Sequence, residues 1–218
     1  MMPTACDYAT VAGVVIAVLV RRSSEPGWCG RRRLRAVPRL ILLNGPPGCG
    51  KSTLAQMYVD NHPLALNLDI DRVRSLIGRW RDDAHAAGLL ARAIGLAAAR
   101  SHLAAGHDVV IPQFLGRLPF IEEVERLALE VGADFHEIVL VDSKENALRR
   151  FAERSRSAAD PAHVEAQEML DRSGGVEELS AMYDRLGSVV AARPTAKVVP
   201  TYSSQVEQAY RDFLSSLS

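Results

Sequence analysis

The stretch that decides the fold runs from Leu40 to Thr53 and reads LILLNGPPGCGKST. Leu40, Ile41, Leu42 and Leu43 make an unbroken apolar run of strand length, as expected of a strand covered on both faces. Directly behind it Gly45, Gly50, Lys51 and Ser52 fill the pattern G-x-x-x-x-G-K-[ST]. Pro46, Pro47 and the glycines Gly45, Gly48 and Gly50 delay the next helix, so the backbone N–H groups through Cys49 to Thr53 can turn inward around a polyphosphate. The following TLAQMYVD is helix-compatible and brings the positive end of its dipole to the same place. Lys51 then reaches the β- and γ-phosphates, and the Ser52 hydroxyl is the expected ligand of a magnesium ion carried by the nucleotide. Only Lys51, Lys144 and Lys197 are lysines among 26 basic residues, so a compact ammonium at this position answers to geometry.

Outward from this loop, a length of 218 residues with 48% hydrophobic side chains suits one α/β domain with a sizeable core. The formal net charge is zero, which gives no global argument for a nucleic-acid partner. Charge is nevertheless uneven: residues 1–38 carry six arginines against Asp7 and Glu25. Ala9 to Val20 is apolar but shorter than the roughly 20 residues that span a bilayer, and no basic residue precedes it, so neither a membrane anchor nor a signal peptide is expected. We expect residues 1–38 to be an extension outside the domain, either a disordered or weakly helical tail or an upstream stretch of reading frame that is not translated. A basic arm built on Arg31, Arg32, Arg33 and Arg35 is the alternative. Cys6, Cys29 and Cys49 form no C-x-x-C pair, and their odd number points to a reducing, cytoplasmic setting. The six histidines show no metal-ligand spacing.

From Arg39 onward, strand and helix patterns alternate, the signature of a parallel sheet covered on both faces. Leu64 to Leu68 is read as the second strand, leading into LDIDRVRSLIG, so Asp69 and Asp71 fall at the carboxyl edge where open α/β sheets bind ligands. Asp71 and Arg74 stand three residues apart on one face of a short helix. There Asp71 is suited to orient or deprotonate an acceptor hydroxyl and Arg74 to neutralise charge, the competing reading being a helix cap with a solvent ion pair. Asp82 to Ala105 is expected to be helical, and His107 to Ile111 to be the third strand. That strand ends in Pro112 and Gln113, where many nucleotide hydrolases place an acid that helps hold magnesium; Gln113 is a candidate to position water or acceptor. Pro119 opens a helix with Ile121, Val124, Leu127 and Ala128 inward, and Phe135 to Val141 is the fourth strand, followed by Asp142 and Glu145 as a capping box. Arg149, Arg150, Arg154 and Arg156 then crowd one stretch, either a lid that closes over phosphates or an exposed helix face. Val176 to Ala192 is a further helix and Lys197 to Val199 the last strand. Ser204 and Glu207 cap a final helix with Val206, Tyr210, Phe213 and Leu217 inward.

On NGPPGCGKST, DIDRVR and the arginine stretch after the fourth strand, the chain from about Arg39 to its end resembles the small P-loop kinases of the zeta-toxin, chloramphenicol phosphotransferase and polynucleotide 5′-kinase type, a group often labelled AAA-family ATP-binding proteins. The resemblance implies a P-loop NTPase three-layer α/β/α sandwich, with a five-stranded parallel sheet in order 2-3-1-4-5 and a helical lid at about 154–175. It implies ATP as the nucleotide, Asp71 at the acceptor hydroxyl, Asp71 and Arg74 as a D-x-x-R pair, and Arg154 as the lid arginine with Arg150 one turn earlier as its substitute. Pro112 and Gln113 depart from the polynucleotide kinase pattern. The expected function is therefore an ATP- and Mg²⁺-dependent kinase acting on a hydroxyl of a small molecule. The alternatives are an ATP-binding switch protein that works through a partner, or a nucleic-acid 5′-hydroxyl kinase.

Overall fold

The computed structural model describes residues 10–11, 14–15, 37–142, 146, 174–201 and 205–218. The chain divides into two units, Met1–Arg35 and Ala36–Ser218. In the first, Thr10–Val11 and Val14–Val15 pair antiparallel; these four β-branched residues favour extended backbone.

In the second unit the strands are β1 (Arg39–Asn44), β2 (Leu66–Asn67), β3 (Val109–Pro112), β4 (Asp134–Val141) and β5 (Lys197–Pro200). All pair in parallel, in the order β2-β3-β1-β4-β5, as the sequence leads one to expect. The helices are α1 (Lys51–Asn61), α2 (Ile70–Ser75), α3 (Ala84–Ala104), α4 (Leu118–Val131), α5 (Gly175–Ala192) and α6 (Val206–Ser216). Alternation along β1 sorts the core into two halves. Leu40 and Leu42 join Val109, Ile111, Ile121, Val124 and Ala99 on the face covered by α3 and α4. Ile41 and Leu43 join Leu54, Tyr58, Ile138 and Phe213 on the face covered by α1 and α6. A sheet sealed on both sides leaves its carboxyl edge as the place where polar groups can gather.

Helix α3 buries Ala87, Ala91, Gly95, Ala99 and Leu103, one every fourth residue. A Cβ on Gly95 would lie 2.4 Å from Ile70 Cδ1, so this glycine lets α3 approach the start of α2. Beneath the sheet's amino end, the Tyr58 hydroxyl donates to Asp108 Oδ2 at 2.6 Å and the Arg39 N–H to Asp108 Oδ1 at 2.8 Å. This ties α1, β1 and the entry to β3.

Several boundaries differ from expectation. β2 is a two-residue strand: Leu64 takes a φ of 66° and is 68% exposed, a turn residue that ends the connection from α1. α3 starts at Ala84, because the Asp83 carboxylate accepts from Ala86 N–H at 3.0 Å and caps it. In α6, Tyr210, Phe213 and Leu217 are buried as read, but Val206 is 46% exposed in the first turn. Gln205 occupies the N-cap there without a side-chain hydrogen bond, and Ser204 lies outside the described residues. Asp142 Oδ1 accepts from Asn146 Nδ2 at 3.2 Å, while Glu145 is outside the described residues.

Candidate nucleotide and acceptor site

The glycine loop leaves β1 at Asn44 and enters α1 at Lys51. Gly45, Gly48 and Gly50 have φ of 152°, 83° and 98°, which prevents helix from starting before Lys51. At Gly45 a Cβ would come within 2.7 Å of both the Leu140 carbonyl oxygen and Cys49 Sγ, so the loop is pressed against β4. At Gly50 the same atom would meet nothing within 4 Å. The first turn of α1 contains no acidic residue and no side-chain cap, so its N–H groups form an uncompensated positive terminus. Lys51 bridges the loop, its ammonium donating to Gly45 O at 2.8 Å and Pro46 O at 2.9 Å, with Cys49 Sγ at 3.9 Å. Cys49 is buried, whereas Ser52 and Thr53 are exposed on the first turn.

Across β3, at the carboxyl end of β2, Asp69 caps α2 by accepting from Asp71 N–H at 2.9 Å and Arg72 N–H at 3.3 Å. Burial, and then the charge of Asp71, hold the Asp69 carboxyl above its usual range against those capping bonds. Asp71 is therefore not the cap. Its carboxylate is 56% exposed and pairs with Arg74 at 3.2 Å, so the spacing read from the sequence does put them on one face. Arg74 is 17% exposed, and its guanidinium lies 4.7 Å from the centroid of the Trp80 ring. Arg81 stacks at 4.6 Å on the same ring, leaving Trp80 buried between two cations.

Two groups that shape the site were not singled out by charge or motif. Asn44, fully buried, donates through Nδ2 to Leu115 O at 2.9 Å, and its Oδ1 accepts from Gly45 N–H and Leu115 N–H, each at 2.8 Å. It clamps the glycine loop to the segment after β3. Trp80 is the other; only its place between Arg79 and Arg81 could have marked it. Gln113 follows β3 with its N–H bonded to Leu43 O at 3.0 Å, and its Oε1 is shielded and has no partner among the described residues. Arg150 and Arg154, with most of the expected lid, lie outside the described residues. Among the described residues no group of three or more His, Cys, Asp or Glu could hold a metal ion, and no helix is long and apolar enough to cross a membrane.

A parallel sheet in this order, with a glycine loop between its central strand and the next helix, is a P-loop NTPase-like fold. Within that class the family model described as an AAA domain (AAA_33) matches residues 40–179, and the chain belongs to that family. Among solved structures, the tunicamycin resistance protein of Deinococcus radiodurans superposes with a TM-score of 0.55 at 12% identity, covering 83% of this chain and 96% of that one. A gluconokinase from Sinorhizobium meliloti 1021 does so with a TM-score of 0.51 at 17% identity, covering 84% and 93%. A 51-residue stretch is 45% identical to the genome polyprotein of feline calicivirus, which is 20% of this chain and 3% of the polyprotein's length.

Proposed function

We propose that the protein is an ATP- and Mg²⁺-dependent kinase that transfers the γ-phosphoryl group to a hydroxyl of a small molecule. One observation carries this reading: the glycine loop after β1 and the Asp71–Arg74 pair after β2 share one sheet edge with only β3 between them. Two inter-strand spacings are about 10 Å, enough for a terminal phosphate and the group that receives it. The likeness of the fold to that of a gluconokinase supports the reaction class.

In this mechanism the loop amides from Gly45 to Thr53 and the α1 terminus bind the polyphosphate, and Lys51 exchanges its two carbonyl partners for phosphate oxygens, which form stronger charge-assisted bonds. Ser52 is exposed on the first turn and offers the oxygen ligand that magnesium prefers; when bound, the ion would neutralise charge on the phosphates. Asp71 orients the acceptor hydroxyl. The hydroxyl oxygen forms a bond to the γ-phosphorus as the bond from that phosphorus to the β,γ-bridging oxygen breaks, ADP leaves, and the hydroxyl proton passes through Asp71 to solvent. A loose transition state asks for positioning more than for a strong base, so an exposed carboxylate suffices. Arg74, held between Asp71 and Trp80, fixes that carboxylate, and lid arginines Arg150 and Arg154 complete the neutralisation of the migrating group.

The test is transfer from γ-labelled ATP to a panel of hydroxyl compounds. Lys51→Ala abolishes transfer, and Asp71→Asn removes it while ATP affinity stays within about threefold of wild type. Full turnover by Asp71→Asn rules out its role. A nucleotide-dependent switch is the second reading, favoured by Pro112 and Gln113 standing where an acid would hold the metal. It predicts slow ATP hydrolysis, no phosphorylated product, and partner binding that differs between ADP and ATP.

A further inference from the structure

Gln113 directly follows β3, the strand between the two halves of the site, and is held there on both sides. Its N–H is bonded to Leu43 O, and two residues on Leu115 is gripped by Asn44, whose amide also holds the Gly45 N–H. Position 113 is thus fixed relative to the glycine loop and cannot drift with the loop that follows. Its side chain is half-buried, and the amide oxygen is shielded without a hydrogen-bond donor among the described residues. An unpaired buried acceptor is costly, and whatever relieves it must donate a hydrogen bond. Phosphate oxygens at neutral pH are acceptors only, so the nucleotide's phosphates do not satisfy this group. Asp71 on the far side of β3 is likewise an acceptor. Asp71 and Gln113 thus each offer the acceptor molecule a hydrogen-bond acceptor, from the ends of two neighbouring strands.

Building on the kinase reading above, we propose that Gln113 is a specificity-determining residue and that the substrate is a polyhydroxylated small molecule. One hydroxyl, oriented by Asp71, is phosphorylated, while a neighbouring hydroxyl donates to Gln113 Oε1. Asn44 is the positioning residue that keeps the amide in register with the phosphate loop. A site built to receive a hydroxyl proton rejects analogues that lack it, because its own acceptor is then left unpaired.

The experiment measures kcat and KM with ATP and Mg²⁺ for glycerol, ribitol and glucose against propan-1-ol and pentan-1-ol, for the full chain and its variants. Wild type is expected to prefer the polyols by at least about 100-fold in kcat/KM. Gln113→Leu, of similar size, lowers kcat/KM for polyols by about 10- to 100-fold and leaves ATP affinity unchanged, while Gln113→Glu, which keeps an acceptor oxygen, restores most of it. Asn44→Asp retains the two accepted bonds but faces the Leu115 carbonyl with a carboxylate; its loss of polyol kcat/KM does not add to that of Gln113→Leu. Equal use of monohydroxy compounds and polyols, or unchanged selectivity in Gln113→Leu, overturns the inference and leaves the kinase standing. Absence of Lys51-dependent transfer to any compound removes the kinase reading itself. Loss of acceptor-independent ATP hydrolysis in Gln113→Leu, with polyol selectivity intact, assigns the amide to water instead and also overturns the inference.

Discussion

Gly45 and Gly50 bracket the same loop, yet an added methyl group should damage them in different ways. At Gly45 the new Cβ stands 2.7 Å from the Leu140 carbonyl oxygen and from Cys49 Sγ, in a backbone conformation with φ of 152°. The strain costs about 1–3 kcal/mol and the overpacking against backbone about the same again. Set against a gain of about 0.4–1 kcal/mol from a stiffer unfolded chain, the net loss is about 2–5 kcal/mol. For a domain of this size that is a fall in Tm of roughly 5–15 °C. At Gly50 the φ of 98° carries a penalty of about 1–2 kcal/mol, but no protein atom lies within 4 Å, so Tm falls by roughly 2–6 °C. In the proposed mechanism, the open space at Gly50 is where a phosphate approaches the α1 terminus. Gly50→Ala therefore weakens ATP binding by at least about tenfold, out of proportion to its stability loss. Thermal melts by circular dichroism and ATP titration by calorimetry, run on both variants, give the comparison. If Gly45→Ala melts with wild type, or Gly50→Ala binds ATP normally, the placement of the phosphate against the second half of the loop is wrong.

Arg74→Lys keeps the charge but loses the planar group that pairs with Asp71 and stacks on Trp80; transfer should fall about 10-fold or more with ATP affinity intact, measured in the same transfer assay. Arg193 bonds Glu125 at 2.8 Å and the buried Glu137 at 2.7 Å, so Arg193→Met strands the latter and should cost about 3–5 kcal/mol at neutral pH. Burial already holds Glu137 above its ordinary 4.5, so its folded form keeps protons that the unfolded chain has released. The deficit therefore grows as pH rises above about 4.5 and shrinks below it, which urea melts across pH will show. His136 has the opposite sign: burial, and then Arg39, lower its pKa, so the unfolded chain takes up the proton first and stability is lost as pH falls below 6.5. His136→Gln should flatten that limb of the melting profile.

What was legible in the sequence was what local spacing encodes. Leu40 to Leu43 followed by Gly45, Gly50 and Lys51 fixes a strand, a turn and a helix within fourteen residues. Asp71 and Arg74 meet because helical spacing alone brings them together. Leu64 looked like part of a strand because it is apolar, but its backbone turns with a positive φ and leaves β2 only two residues. Val206 follows the helical period and is still exposed, as the first residue of α6. Asn44 was invisible for another reason. Its partner Leu115 is 71 residues away, and no window of sequence contains both. Trp80, stacked with Arg74 and Arg81, and the Gln113 amide oxygen, unpartnered among the described residues, likewise emerge only once the chain has folded back on itself.

The ammonium of Lys51, resting on the carbonyls of Gly45 and Pro46, makes the loop its own placeholder. A newcomer must unseat that side chain before it gains anything, so its measured affinity is a net of two exchanges. On the proposed kinase reading, a tethered chain of phosphates meets the ammonium and the loop amides together, so the charge-assisted bonds it forms offset the two carbonyl contacts given up. The resting latch thus sets the net affinity before any acceptor arrives.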